Sequence, residues 1–349
     1  MSRSRRSMLL LIGLAIVLSA VVVVSVGTGP VSISPCDILG VLFEHLGFIH
    51  GPGNESLALI IESIRLPRTL TGLIVGGSLA IAGASMQGLF RNPLADPSII
   101  GVASGSALGA SVAIVLGSTL FAGATDGFLQ SVSISLFAFI GGIAATWLVY
   151  QTGTTGNGTS VATMLLAGVA INALVGASIG VLTYITDDIS LRSLTYWQMG
   201  SIGGATWSLV LTCVVILLPV ILLLCGYGQT INALLLGESE ARHLGINVQR
   251  VKLELITLSA IAVGVSVSVS GMIGFVGLVV PHLIRLLAGP DHRVLLPASA
   301  MLGGILLVMA DMVARVIVAP AELPIGIVTA LMGAPFFMSM LWQQRQRIA

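Results

Sequence analysis

Apolar residues run along this chain in long blocks separated by short polar breaks. A helix needs about 20 apolar residues to cross the hydrocarbon of a bilayer. Ten blocks approach or meet that length, at 8–27, 69–90, 98–118, 131–150, 163–185, 207–226, 252–270, 272–288, 294–314 and 325–342. They predict an all-α polytopic membrane protein of about ten transmembrane helices, with residues 1–349 forming one transmembrane domain. The first block, Met8 to Val26, follows Arg3, Arg5 and Arg6, and no clear small-x-small site comes after it. It reads as a retained first helix rather than a removable signal. Val265 to Ser270 alternates V-S-V-S-V-S in the manner of a strand. An isolated strand would leave its backbone groups unpaired in lipid, so a helix ending near Gly271 is expected there.

Composition agrees with lipid as the solvent. The chain is 56% hydrophobic and 8% charged, whereas a soluble domain is about a quarter charged. This excludes a soluble enzyme, a disordered regulator and a nucleic-acid binder. Small residues recur every four positions at Gly72, Gly76, Ala80, Ala84 and Gly88, at Gly101, Gly105 and Gly109, and at Gly168, Asn172, Gly176 and Gly180. Such rows let membrane helices approach closely. Basic residues favour the cytoplasmic side. With the N-terminus inside, eleven of them (Arg3, Arg5, Arg6, Arg91, Arg242, Arg250, Lys252, Arg285, Arg293, Arg345, Arg347) fall inside, and Arg65, Arg68, Arg192 and Arg315 fall outside. The outer loops carry the acids Asp37, Glu44, Glu55, Glu62, Asp126, Asp187, Asp188 and Glu322. An even number of spans puts both termini in the cytoplasm. Cys36, Cys213 and Cys225 form no pair or metal motif.

No catalytic constellation is present. The sequence contains no HExxH, GxSxG or Walker A motif, and Lys252, the only lysine, has no glycine loop before it. His45, His50, His243, His282 and His292 are scattered without metal-ligand spacing, so no metal is expected. Ion coupling calls for carboxylates within the spans. Asp311 is the clearest candidate, and Arg315 four residues on predicts a structural ion pair instead. The bundle therefore needs an external motor or acts as a passive channel. Residues 229–250, QTINALLLGESEARHLGINVQR, read as a cytoplasmic knob: a short apolar turn, a break at Gly237 and a short charged helix. Three consecutive leucines, Leu234, Leu235 and Leu236, suit a docking surface.

Several long segments resemble one family. RLPR at 65–68, GASMQGLFRNPLADPSIIGVASGSALGA at 83–110, LLAGVAINAL at 165–174 and YWQMGSIGG at 196–204 are similar to the FecCD-type permeases of ABC importers. So are GESEARHLGINV at 237–248, SGMIGFVGLVVPHLIRLLAGPDHR at 270–293 and ADMVARVIVAPAELPIGIVTALMGAPFF at 310–337. The resemblance covers about Leu57 to Leu341, in family order.

It implies the type II ABC importer permease fold in a bacterial inner membrane, with two copies side by side and a path at their interface. The implied partners are two cytoplasmic ATPases, which hold the ATP and Mg, and one periplasmic binding protein; this chain would bind no cofactor. The resemblance makes Leu234, Leu235, Leu236, Gly237, Glu238, Glu240, Arg242, His243 and Gly245 the ATPase-coupling segment. It makes Arg65, Arg68 and Arg315 the docking site for acidic residues of the binding protein. Asn92 and Leu94 match one element of the inner gate, and Ser160, Val161 and Ala162 stand where the other lies, in a glycine- and threonine-rich stretch without the basic residues that some members carry. MQGLFRNPLADP and YWQMGSIGG look most similar to the haem permeases. Siderophore-iron and cobalamin are the alternatives within the family, and an ion-coupled secondary transporter is the alternative outside it.

Overall fold

In lipid a backbone is satisfied within helices or closed barrels, and helices make up most of the computed structural model. It describes residues 3–29, 33–34, 55–120, 127–156 and 158–348. Cys36, Asp37, Glu44, His45, His50 and Asp126 lie outside the described residues. The order is α1 (Arg3–Gly27), α2 (Glu55–Ile60), a π-helical turn (Ile61–Arg65), α3 (Leu66–Leu89), a 3-10 turn (Pro97–Ile100), α4 (Val102–Leu120) and α5 (Gly127–Gly153). A hairpin of β1 (Thr154–Thr155) and β2 (Gly158–Thr159) follows, then α6 (Val161–Ile185), α7 (Asp188–Met199) and α8 (Trp207–Gly226). The chain ends with α9 (Gly228–Leu236), α10 (Glu238–His243), α11 (Val248–Ser270), α12 (Val276–Ala288), α13 (His292–Val316) and α14 (Ile325–Ile348).

All ten expected spans coincide with helices. Seven of the described helices are long and apolar enough to cross a bilayer, and three shorter apolar segments, Val102–Gly117, Val276–Ala288 and Ile325–Met340, make up the rest. Two of the short ones have a local cause. The 3-10 turn Pro97–Ile100 precedes α4, and Gly271 to Phe275 is not helical, so α12 starts at Val276 rather than at the expected 272. The alternating serine segment is helical, as expected. Ser266 and Ser270 donate to the carbonyls of Ala262 and Ser266 one turn back, at 2.7 and 2.8 Å, which satisfies their hydroxyls without partners across the bundle. The amphipathic helix α7 is an element that hydropathy does not reveal; Asp187 caps it by accepting from the amides of Ile189 and Ser190.

α3 is the axis of the bundle, buried from Thr69 almost continuously to Leu89. Its glycines are the contact points. A methyl group on Gly76 would overlap the carbonyl of Gly303 in α13, and one on Gly83 would overlap the carbonyl of Gly277 in α12. α4 and α5 meet in the same way, through Gly105, Gly109 and Gly141. The row on α6 differs: Gly168 sits on the carbonyl of Ile99, but Gly176 and Gly180 have nothing within 4 Å.

The ends of the bundle are chemically distinct. One gathers Ser25, Arg65, Arg68, Asp311, Arg315 and Glu322; the other gathers the hairpin, α9, α10 and the first turns of α11 and α13.

Gly83→Ala and Gly176→Ala separate packing from propensity. The first puts a methyl group into a backbone contact and should cost about 1–3 kcal/mol or more. The second adds a methyl group in open space, and alanine is the better helix former by up to about 1 kcal/mol. Thermal unfolding of the purified single chain in detergent measures both; equal effects would contradict the backbone contact between α3 and α12.

Candidate functional site

At the first end, two guanidiniums, Arg68 and Arg315, share Asp311, and a third, Arg65, lies beside them. The π turn and Pro67 at the start of α3 carry Arg65 and Arg68 inward. Arg68 donates Nη2 and Nε to Asp311 Oδ1 at 2.8 and 3.0 Å, and Nη1 to both oxygens of Glu322 at 2.9 and 3.0 Å. Arg315 binds the other oxygen of Asp311 at 3.0 Å across one helical turn, the pair expected from the sequence. It also donates to Ser25 Oγ at 2.8 Å, and Arg65 donates to the carbonyl of Val26 at 2.7 Å, so the end of α1 closes over the cluster.

Arg65, Arg68 and Arg315 do stand together at one end, but they are only 5%, 5% and 3% exposed. They are not a free basic surface in this conformation. A charge taken out of water must be paired, and Asp311, Glu322 and the α1 carbonyls do the pairing. Glu322, with its side chain 42% exposed, is the member that solvent reaches.

At the second end, the expected knob has the expected parts. α9 is the apolar turn, Gly237 at φ +138° is the break, and α10 is the charged helix. Gly245 at φ +82° ends it, where only glycine is unstrained, and its amide reaches the carbonyl of Arg242 at 2.9 Å. The three leucines divide. Leu234 is 2% exposed and belongs to the core, so it cannot serve as a contact surface; Leu235 and Leu236 are 38% and 71% exposed. Leu244 joins them on the outside, and Glu240, Arg242 and His243 are also exposed.

Two side chains that the sequence did not single out fix the knob to the spans. Asn232 donates to Asp291 at 2.7 Å and accepts from the amide of His292 at 2.9 Å, which ties α9 to the start of α13. Hydrogen bonds from Arg293, and next from Asn232, hold the Asp291 carboxyl well below the usual carboxylate range. Lys252 reaches from α11 to Glu238 at the start of α10.

The expected gate residues also lie at this end. Asn92 follows α3 and accepts from the amide of Leu94 at 2.9 Å in a tight turn. Ser160 caps α6, accepting from the amide of Thr163 at 3.3 Å; it and Ala162 are exposed, and Val161 is half-buried. Between the ends, the 3-10 turn and the segment 271–275 border a cavity of about 330 Å³ lined by Leu79, Asp96, Val263, Val267 and Phe275. Irregular backbone within a membrane bundle is tolerated where it is buried or lines a cavity. Among the described residues, no group of three or more His, Cys, Asp or Glu side chains could hold a metal ion.

A polytopic helical bundle with a tied-down knob at one end and a buried charge cluster at the other defines a membrane transport subunit. The chain belongs to the FecCD transport family, which it matches over residues 15–343. It is 47% identical over 294 residues to the hemin transport system permease HmuU of Yersinia pestis, covering 84% of this chain and 86% of that one. It is 44% identical over 293 residues to the cobalamin import system permease BtuC of Halobacterium salinarum, covering 84% and 76%. Among solved structures, one described as a metal-chelate type ABC transporter in an inward-facing conformation superposes with a TM-score of 0.80 at 35% identity, covering 95% of this chain and 98% of that chain.

Replacing Asp311 by Asn should be among the most damaging single changes at the charge cluster. It leaves two buried guanidiniums without their shared carboxylate, and breaking a buried pair costs about 3–5 kcal/mol. Glu322→Gln, at the exposed rim, should cost under about 1 kcal/mol. Unfolding of the two variants in detergent, compared with the parent, gives the ratio.

Proposed function

We propose that this chain is the membrane-spanning subunit of an ATP-driven importer that carries haem from periplasm to cytoplasm, with the knob end facing the cytoplasm. The observation that carries the reading is the knob itself. It holds Leu235, Leu236 and Leu244 out from the bundle while Asn232, Asp291, Lys252 and Glu238 anchor its base. An exposed apolar ridge on a rigid mount needs cover, and a mount tied to two spans, α11 and α13, can pass a push into the membrane. The occupant proposed is a separate ATPase, which supplies the ATP and Mg chemistry that this sequence has no phosphate loop to hold.

Two copies would complete the unit. The small-residue row on α6 is filled at Gly168 and open at Gly176 and Gly180, and Leu166, Leu174 and Val181 around it are 73%, 68% and 61% exposed. A second copy packed there supplies the van der Waals contact that drives association in lipid and sets the path between the two chains. In that pair, Asn92 and Leu94 of one wall and Ser160 to Ala162 of the other would close the inner gate.

A periplasmic binding protein would dock at the arginine end. Because the guanidiniums are buried, an incoming carboxylate would reach Arg68 by taking the place of Glu322. Haem is favoured as the cargo by the 47% identity to a hemin permease; cobalamin is the second reading, favoured by the 44% identity to a cobalamin permease.

Leu236→Asp should insert and fold normally yet fail to co-purify the ATPase, since its new charge would be desolvated in the joint at a cost of several kcal/mol. Leu234→Asp should instead lower the stability of the chain itself. Normal ATPase capture by the Leu236 variant would sink the docking assignment. Proteoliposomes holding permease, ATPase and binding protein should take up haem on addition of ATP and not under an ion gradient alone. Uptake of cobalamin in preference to haem would replace the cargo, and uptake driven by a gradient would replace the class.

A further inference from the structure

Lys252, the sole lysine of the sequence, is 3% exposed in the second turn of α11. Its ammonium has two described partners on two different elements. One is Glu238 Oε1, 2.7 Å away at the first residue of α10. The other is the carbonyl of Thr159, 2.8 Å away in strand β2. One turn earlier, Gln249 accepts from the amide of Thr159 at 3.0 Å. Both backbone groups of Thr159 are thus held by α11. The next residue, Ser160, donates its amide to the carbonyl of Gly153 at 2.9 Å and caps α6.

We propose that Lys252 is a positioning residue that transmits displacement of the knob to the 154–159 hairpin, and through it to the start of α6. This rests on the reading of the knob as the ATPase-docking segment. The physics is that of a buried charge. If α10 moved alone, the ammonium would lose its carboxylate while remaining out of water, which is costly. If α11 moved with α10 but left the hairpin behind, both bonds to Thr159 would break. The low-energy motion keeps α10, the first turns of α11 and Thr159 together. Thr159 is joined directly to Ser160, so its displacement arrives at the cap of α6. The warrant is a contiguous set of hydrogen bonds that joins the two elements, rather than nearness alone.

The test uses the assembled transporter in proteoliposomes: wild type, Lys252→Met, Lys252→Arg, Glu238→Gln and Gln249→Ala. Three quantities are read. They are substrate moved per ATP hydrolysed, the ATP-driven change in mobility of a spin label at Gly156→Cys in a cysteine-free background, and the melting temperature. Gly156 suits a label because nothing lies within 4 Å of its added side chain. Lys252→Met is read per ATP hydrolysed, so that any change in ATPase binding is divided out. It should lower substrate moved per ATP by roughly 2- to 30-fold, the range of single residues along a coupling route, and blunt the label response. Lys252→Arg should restore most of both. Glu238→Gln, which alters the same contact from its half-exposed side, should fall between and covers the case in which Lys252→Met does not fold. Gln249→Ala should weaken the label response with the lysine contact intact.

A purely structural lysine would give a different pattern: a lower melting temperature with wild-type stoichiometry and a full label response. That result for Lys252→Met, or for Glu238→Gln if the first does not fold, overturns the proposal. Failure of the underlying reading shows separately, as ATPase binding that survives Leu236→Asp.

Discussion

Helices in lipid gain nothing by hiding apolar side chains from one another, because the acyl chains are as apolar as the partner. What holds them is close contact, and in this chain the contact is backbone against backbone along α3. Glycine at 76 and 83 lets the axis of α3 come down on Gly303 of α13 and Gly277 of α12. Everything else is placed by that contact. The α3–α13 approach sets the separation at which Arg68 can grip Asp311, and it brings Gly88 against Ile231 and His292, where α9 is seated. The α3–α12 approach puts Gln87 within reach of Arg285, whose Nη2 donates to it at 2.8 Å.

Among the described residues, the ion pairs gather at the two ends and are handled differently at each. Around Asp311 the groups are nearly dry, so each must be matched, and the geometry is close to the fork-on-carboxylate arrangement that makes such pairs strong. The carboxylate of Asp311 has an arginine on each oxygen, and Glu322 holds the outer side of Arg68. At the knob the ions are mostly wet, as in Arg250 with Glu254 and Arg293 with Asp291, and contribute little by themselves. The exception is the pair of Lys252 with Glu238, in which the lysine is dry and the carboxylate is about a third exposed.

How much of this was legible in the sequence followed from the range of the interaction. The spans were legible because hydropathy is a local sum. The Asp311–Arg315 pair was legible because four residues on a helix is a fixed geometry. The partners of Arg68 were not, since they lie 243 and 254 positions away, so a basic cluster that is buried read as one that is exposed. Three consecutive leucines read as one surface, yet successive residues on a helix point about 100° apart, and Leu234 turned inward. The break before α12 was hidden because Met272, Ile273 and Phe275 are as apolar as the helix that follows; only Gly271 and Gly274 hinted at it. α7 was hidden because half of its residues are polar. Lys252 was counted as a charge for orientation, and nothing local to it announces either Glu238 or Thr159.

The bundle is not equally held throughout. α3, α11 and α13 are packed along most of their length, while α6 presents most of its residues outward. Its hold on the rest of the chain runs through Gly168 on Ile99, through Asn172, which accepts from Ser104, and through the bonds that fix Thr159 and Ser160 at its start. Met164 and Ala167 are buried in the core as well, so α6 is held mainly along its first half, whereas α3 makes backbone contacts along most of its length. The turn that starts α6 is joined to α11 through Thr159, and the buried charges sit on α3 and α13, which are packed along most of their length.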